Sequence, residues 1–335
     1  MSKRRRTSMN SLEEVAGFLR KGKKAVICGH TMPDGDSVGS VLAMSLLLSQ
    51  IGIENHVATS DPVPLLYDFL PGVQNVVWGS FQDDCDLAVV LDCTGLDRLG
   101  DELGDYIRNI PTKVNIDHHI SNQEFGTCNY VDPQASATGE IVFELIKLMG
   151  VRLTEEMAVN LYTAIAMDTG SFRFENTTGK SHQVTAELIQ TGIKVSEINV
   201  NLFEKKDLSH LKLIGYALTQ LKTASDGRVA WVTIPLQVME ELGAHDEHAD
   251  GIINYPRMLD SVEIGLLFRE ISPGRFKVGF RSKRYIDVNK LAGAFGGGGH
   301  PRASGCTVEG DRDEVEQRVV NLCIQTIAER HNETK

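Results

Sequence analysis

The chain is short of positive charge and of paired cysteine, and each deficit excludes something. Thirty-four lysines and arginines face 45 acidic residues, a formal net charge of -11. That balance argues against a large sequence-independent duplex-DNA interface, which is built from many Lys and Arg contacts to phosphate. The six cysteines, at 28, 85, 93, 128, 306 and 323, show neither CxxC pairing nor the density of a disulfide scaffold. They are expected to be reduced, mostly buried thiols of a cytoplasmic protein. The longest apolar stretch, 38–48, falls short of the ~20 residues a membrane-spanning helix needs. After the basic Lys3-Arg4-Arg5-Arg6, polar residues occupy 7–14, where an export signal would carry an apolar run. The expectation is a cytoplasmic protein without membrane association. Missing motifs narrow the chemistry as well. No GxxxxGK[ST] phosphate loop is present, no GxSxG elbow supports a serine nucleophile, and Asp34-Gly35-Asp36 lacks the ligand spacing of a calcium loop.

What is present is an ordinary globular composition, 41% hydrophobic with 31 glycines, in a chain of 335 residues. At a prior of ~150 residues per domain, that length suggests about two domains. In the first half, apolar runs at 24–29, 55–60, 86–92 and 113–118 alternate with helical patterns at 11–21, 36–51 and 62–70. That rhythm predicts an α/β domain with a mainly parallel sheet and helices on both faces. Helical patterns follow at 136–149, 154–168 and 181–191, and a polar stretch at 203–209 leads into another at 211–221. From about residue 228 the pattern is richer in strands, at 229–234, 262–270 and 275–282, closing on a helix at 311–330. The predicted division is a first domain over 11–195, a helical connector over 196–225 and a smaller α/β domain over 226–335.

The stretch around which the first domain is organised is His30-Thr31-Met32-Pro33-Asp34-Gly35-Asp36-Ser37, where the first apolar strand runs out. Pro33 and Gly35 force an irregular backbone there, so that His30, Asp34 and Asp36 can converge. Imidazole and carboxylate together suit a fairly hard divalent transition metal. An ordinary strand-to-helix loop with Asp36 or Ser37 as helix N-cap explains the same residues equally well. Three further sites decide between the two. Asp92 ends the run Leu87-Ala88-Val89-Val90-Leu91, Asp117-His118-His119 ends Lys113-Val114-Asn115-Ile116, and Asp168 ends a helix before Thr169-Gly170. Four segments thus deliver Asp or His to one edge of one sheet. Packed together without cations, Asp34, Asp36, Asp92 and Asp168 would repel one another and some would stay protonated. So many donors match a pair of metals, which activate a water and clamp a phosphoryl group. Successive strand residues point to opposite faces, so the imidazoles at 118 and 119 are not expected to be equivalent ligands: one binds metal and the other can meet a substrate phosphate.

These four motifs resemble those of the DHH phosphoesterase superfamily. The resemblance implies two manganese ions and hydrolysis of phosphate esters or anhydrides. By motif, His30, Asp34, Asp92 and Asp168 would hold one ion, and Asp36, Asp92, His118 and Asp168 the other, with Asp92 and Asp168 bridging. Asp117 would orient a metal-bound imidazole from behind, and His119 would face the substrate phosphate.

In the second domain, Phe295-Gly296-Gly297-Gly298-Gly299-His300 precedes Ala303-Ser304-Gly305. Consecutive glycine amides can form an anion-binding nest, although a flexible loop accounts for such a run equally well. Beside it, Arg275, Lys277, Arg281 and Lys283 share one parity of a strand, while Phe276, Val278 and Phe280 take the other. This half resembles the DHHA1 domain that accompanies DHH domains in nanoRNA-degrading oligoribonucleases of the NrnA type. The resemblance implies that Arg281, Gly297, Gly298, Gly299 and His300 receive the nucleotide, and that the site lies in a cleft between the domains. The substrates implied are short single-stranded RNA, dinucleotides and 3′-phosphoadenosine 5′-phosphate (pAp). A phosphodiesterase for linear or cyclic dinucleotides is the alternative enzyme, an RNA-binding module with an idle metal site the alternative of another class, and a homodimer an open expectation.

Overall fold

The structure is a computed structural model that describes residues 9–79, 84–224, 226–249 and 251–333. The chain folds as two compact units, Met1–Lys205 and Lys206–Lys335. In the first, strands β1 (Lys24–Cys28), β2 (Glu54–Thr59), β3 (Val77–Trp78), β4 (Leu87–Leu91), β5 (Thr112–Asp117) and β6 (Cys128–Val131) form one sheet in the order β3-β2-β1-β4-β5-β6. Every neighbouring pair is parallel. Strand β4, Leu-Ala-Val-Val-Leu, is buried along its whole length, the unbroken apolar run that a central parallel strand needs when both faces are covered.

The helices of this unit are α1 (Leu12–Leu19), α2 (Gly35–Gln50), α3 (Asp101–Asn109), α4 (Thr138–Leu148), α5 (Glu155–Asp168), α6 (Gly179–Gln190) and α7 (Val195–Asn199). Helices α1, α2, α4 and α5 bury Leu19, Met44, Phe143 and Leu161 in one cluster with Ile27, Val89 and Ile116 of the sheet. The opposite face, Val26, Ala88 and Val90, is covered by Leu103 and Ile107 of α3. Helix α2 lies hard against α5, and glycine at 39 is what allows it. A Cβ there would come within 2.3 Å of the Asn160 carbonyl oxygen.

One expected helix does not form. Over 62–70 the structure has only the 3-10 turn Leu65–Tyr67. Pro62 and Pro64 explain this, since each removes an amide donor and forces the residue before it out of the helical region. The short strands β3 and β6 carry too few residues to show a period.

In the second unit, α8 (Leu208–Thr219) is followed by β7 (Lys222–Thr223), β8 (Val229–Ile234), α9 (Leu236–Glu241), α10 (Asn254–Met258), β9 (Ile264–Ser272), β10 (Arg275–Ser282), α11 (Val288–Gly293), β11 (Gly298–His300), β12 (Ala303–Glu309) and α12 (Arg312–Glu333). The sheet order is β11-β12-β10-β9-β8-β7, mixed because β8 and β9 are parallel. Phe276, Val278 and Phe280 point into the core against Val315, Val319 and Cys323 of α12, as the parity of β10 predicts. Helix α8, expected within a connector, packs Leu213 and Ala217 against Val232, Ile234 and Met239 of this unit. All six cysteines are free thiols, and all but Cys85 are buried. Among the described residues no helix is long and apolar enough to cross a membrane.

Candidate metal centre

The sheet order reverses between β1 and β4, the place where open α/β sheets put their ligands. His30 follows β1 and Asp92 follows β4, and His30 Nε2 lies 3.4 Å from Asp92 Oδ2. Asp92 is buried and left-handed, with φ of 53°. A non-glycine residue held in that region is found where function needs its side chain aimed. Its other oxygen, Oδ1, lies 3.7 Å from His118 Nε2. The two oxygens of Asp92 therefore face two different donor sets. One is His30, Asp34 and Asp92; on the other side His118 Nε2 lies 3.8 Å from Asp36 Oδ2 and 3.7 Å from Asp168 Oδ2, and Asp92, His118 and His119 make a third group, with His119 Nδ1 3.5 Å from Asp92 Oδ1.

Each element holds its donor by local means. Asp34 is the N-cap of α2, accepting the amides of Asp36 and Ser37 at 3.1 Å. Neither Asp36 nor Ser37 is the cap. Asp36 instead sits at the amino end of α4, where its carboxylate accepts the Thr138 amide at 2.6 Å and the Gly139 amide at 2.9 Å. Thr138 Oγ1 donates to Asp92 Oδ1 at 3.2 Å, and Asn176 Nδ2 to Asp168 Oδ2 at 3.1 Å. Thr138, Gly139 and Asn176 escaped the sequence reading. Their own surroundings signal only a helix start and a loop, and the carboxylates that Thr138 and Gly139 bind, Asp36 and Asp92, lie 46 to 103 residues away.

The imidazoles of His30 and His118 are each backed by a carbonyl, Thr31 O at 2.7 Å and Ala135 O at 3.2 Å from Nδ1. A carbonyl only accepts, so Nδ1 carries the proton and Nε2 turns to the carboxylates, the arrangement of a metal-ligating histidine. His119 is held the other way. Its Nδ1 lies 2.7 Å from Asp117 Oδ1, and Asn122 Nδ2 donates to Asp117 Oδ2 at 2.6 Å. Two expectations change here. Strand alternation does not separate the histidines, because β5 ends at Asp117 and both rings turn inward, 4.5 Å apart edge to face. Asp117 orients His119, while the Ala135 carbonyl does that for His118.

The electrostatics test whether cations fit. Burial and the charge of Asp92 raise the pKa of Asp36 well above the carboxylate range. Burial and the nearby Asp92 and Asp34 push Asp168 up to about 7, against the pull of His118. Burial opposes protonation of His30, but Asp34 and Asp92 outweigh it and raise it to about 11. His118 is raised to about 9 by Asp36, Asp168 and Asp92, again against its burial. Without metal the site gathers protons to offset its own charge. Divalent cations answer that deficit, and the mixed oxygen and nitrogen donors suit them.

The two halves match separate family models, the N-terminal domain of the DHH family over residues 24–167 and the DHHA1 domain over 229–329. Over 304 residues the chain is 32% identical to the bifunctional oligoribonuclease and PAP phosphatase NrnA of Thermus thermophilus, covering 88% of this chain and 87% of that one. It belongs to the DHH–DHHA1 phosphoesterase family. The crystal structure of an exopolyphosphatase-related protein from Bacteroides fragilis superposes with a TM-score of 0.88 at 27% identity, covering 95% of each chain. RecJ of Thermus thermophilus, crystallised with Mn2+, shares the fold at a TM-score of 0.51 and 15% identity, covering 97% of this chain and 55% of that one.

In the second unit, Arg281 stands opposite Ala303, and Ala303 opposite His300, across β10, β12 and β11. Directly opposed residues of antiparallel strands share a face, so Arg281 and His300 emerge on one side with a small residue between them. Their separation is two strand spacings, about 10 Å. The glycine run departs from the expected open nest. The Gly296 and Gly297 amides cap α11, donating to Gly293 and Ala292 carbonyls at 3.1 and 2.9 Å, and Gly298–His300 is an edge strand. The Gly297 amide is thereby taken. Glycine is required at 297 by packing, since a Cβ would lie 2.2 Å from the Gly305 carbonyl oxygen.

Proposed function

We propose that the protein hydrolyses short single-stranded oligoribonucleotides to nucleoside 5′-monophosphates and pAp to AMP, in the cytoplasm, using two divalent cations, manganese foremost. The observation that carries this reading is Asp92, which turns one oxygen to His30 and the other to His118 amid the carboxylates gathered at the switch point of the sheet. The 32% identity to a bifunctional oligoribonuclease and PAP phosphatase supports the substrate class.

His30, Asp34, Asp92 and Asp168 would hold one ion, and Asp36, Asp92, His118 and Asp168 the other. When bound, the ions supply positive charge for the phosphoryl oxygens and acidify water. The remaining residues handle position and protons. Asp117 keeps the proton on His119 Nδ1, and the pKa of His119 is raised, Asp117 and Asp92 outweighing its burial. A proton on His119 Nε2 would let it donate a charge-assisted hydrogen bond to a phosphate oxygen as negative charge builds there. Arg281 and His300 bind a terminal phosphate or nucleotide, with an outward-facing amide of the Gly298–His300 edge strand as a further donor. Affinity then comes from the end of the strand, and short oligomers are preferred over long ones.

The test is a metal-dependent assay on labelled RNA of two, five and 24 nucleotides, with phosphate release from pAp alongside. Mononucleotide from the dimer with manganese, abolished by chelator, is the expected result. A preference for the 24-mer would replace this reading with a processive exonuclease, and binding without turnover would leave an RNA-binding module.

A further inference from the structure

Helix α4 starts without a side-chain cap of its own, and the segment that leads into it, 135–139, spends its polar groups on the cluster. The Ala135 carbonyl accepts from His118 Nδ1 at 3.2 Å. The Ser136 carbonyl accepts from Asn176 Nδ2 at 2.9 Å, and the same Asn176 group donates to Asp168 Oδ2. Thr138 Oγ1 donates to Asp92, and the Thr138 and Gly139 amides donate to Asp36. Directly or through Asn176, this short segment therefore touches every donor assigned above to one ion of the pair: Asp36, Asp92, His118 and Asp168. Among the described residues, its hydrogen bonds reach neither His30 nor Asp34.

Glu140 is what holds the segment. Its Oε2 accepts both the Ser136 amide at 3.2 Å and the Ser136 hydroxyl at 2.8 Å. Its Oε1 is buried without a hydrogen bond and lies 3.4 Å from the ammonium of Lys180, an exposed residue of α6. A glutamate near a helix start that folds back on the preceding chain is a common initiation device. Helix α1 uses one, with Ser11 and Glu14 bonding reciprocally, and both of those residues stay exposed. Glu140 is instead fully buried. Glutamate is almost never buried so completely, because a carboxylate taken out of water loses its hydration. Starting a helix does not require that loss, as α1 shows.

We propose that Glu140 is a positioning residue for the ion held by Asp36, Asp92, His118 and Asp168. By fixing Ser136 it sets the segment that aims all four ligands. This rests on the two-cation reading above. It makes the two ions unequal in their dependence on Glu140. The ion at His30 and Asp34 shares only Asp92 and Asp168 with the segment, and keeps two ligands that the segment does not touch.

The experiment titrates manganese into wild type, Glu140→Gln, Glu140→Asp and Glu140→Ala, following the electron paramagnetic resonance of free Mn2+. Thermal melts of the metal-free proteins confirm folding, and Glu140→Asp carries the test if Glu140→Ala does not fold. Wild type should bind two ions. Glu140→Gln keeps an oxygen on Ser136 and should bind both nearly as wild type does. Glu140→Asp keeps the charge but falls one methylene short, and Glu140→Ala removes the group altogether. In both, the Kd of one ion should rise about 10- to 100-fold, the usual cost of losing a group that orients metal ligands, and the other should stay as in wild type. In a His118→Ala background, where the same ion is already weakened, Glu140→Asp should add little. Unchanged binding by folded Glu140→Asp or Glu140→Ala would make Glu140 a helix-start residue, and the proposal falls. Equal weakening of both ions overturns it too. So does a Glu140→Gln as damaging as Glu140→Ala, since the pair with Lys180 would then be what matters. Fewer than two ions in wild type would bring down the two-cation reading and this proposal with it. If wild type binds two ions yet cleaves neither RNA nor pAp, the substrate reading is wrong and the role of Glu140 stands.

Discussion

The first unit and the second each bury carboxylates, and they treat them in opposite ways. Glu316, in the second unit, is buried among donors. Lys222 Nζ and Trp231 Nε1 donate to Oε2 at 2.9 Å, and Thr233 Oγ1 and Arg312 Nε donate to Oε1 at 2.7 and 3.2 Å. Burial works against its ionisation, but these partners outweigh it and hold its pKa at about 2. In the first unit, buried Asp36 and half-buried Asp168 lie beside other carboxylates and their pKa values rise. Glu316 is a completed network that fastens α12 to β7 and β8. The aspartate cluster is an incomplete one, with more acceptors than donors, and positive charge is what it lacks. A satisfied buried carboxylate belongs to the fold, and an unsatisfied group of them to a ligand.

The comparison breaks first at Asp92. Asp92→Asn keeps the shape but removes the charge shared by both donor sets, and kcat/KM with manganese should fall roughly 1,000-fold or more, a loss of several kcal/mol of charge stabilisation. Thermal melting of the metal-free variant should show no loss of stability, because a like charge has left the cluster. A variant with near-native turnover would refute the shared role. Glu316→Gln should behave in the reverse sense. Removing one partner of a buried charged network costs about 3 kcal/mol, to be read as a lower midpoint in urea denaturation.

Acid sharpens the same contrast. The folded pKa of Glu316 lies below its unfolded value, so its stabilisation is fully present above about pH 4.5 and is lost as pH falls toward 2. Wild type should lose stability through that window, and Glu316→Gln should lose less of it. Identical slopes would remove Glu316 from the account. The smallest effect separates the histidines. His118→Ala should lower manganese content after dialysis, whereas His119→Ala should retain it and lose about 10- to 150-fold in kcat/KM, the worth of one hydrogen bond to a charged group. Equal metal loss in the two variants would end that division.

Much of the first unit was legible in the sequence because its signals are local. An apolar run such as 87–91, too short for a helix, reads as a strand buried on both faces, and the carboxylates stand where such runs end. The glycine run misled for an equally physical reason. Glycine permits a nest, a helix cap and a close-packed edge strand alike, and the Gly305 and Cys306 backbone that selects the last two is supplied by another strand. Glu316 gave no sign at all, since a glutamate on a helix reads as solvated until four donors surround it.

The sequence by itself determined which acidic and histidine residues are candidates for the site and that each lies near the end of a strand or helix, because period, turn residues and strand ends are written over a few neighbouring positions. Only the tertiary structure decided what those residues do to one another. That His119 leans on Asp117, that α4 offers its first amides to Asp36, and that Asp92 turns one oxygen to each donor set all depend on contacts between segments far apart in the chain. Side-chain pairing at that range is set by how the sheet orders its strands, and strand order is a property of the packed core.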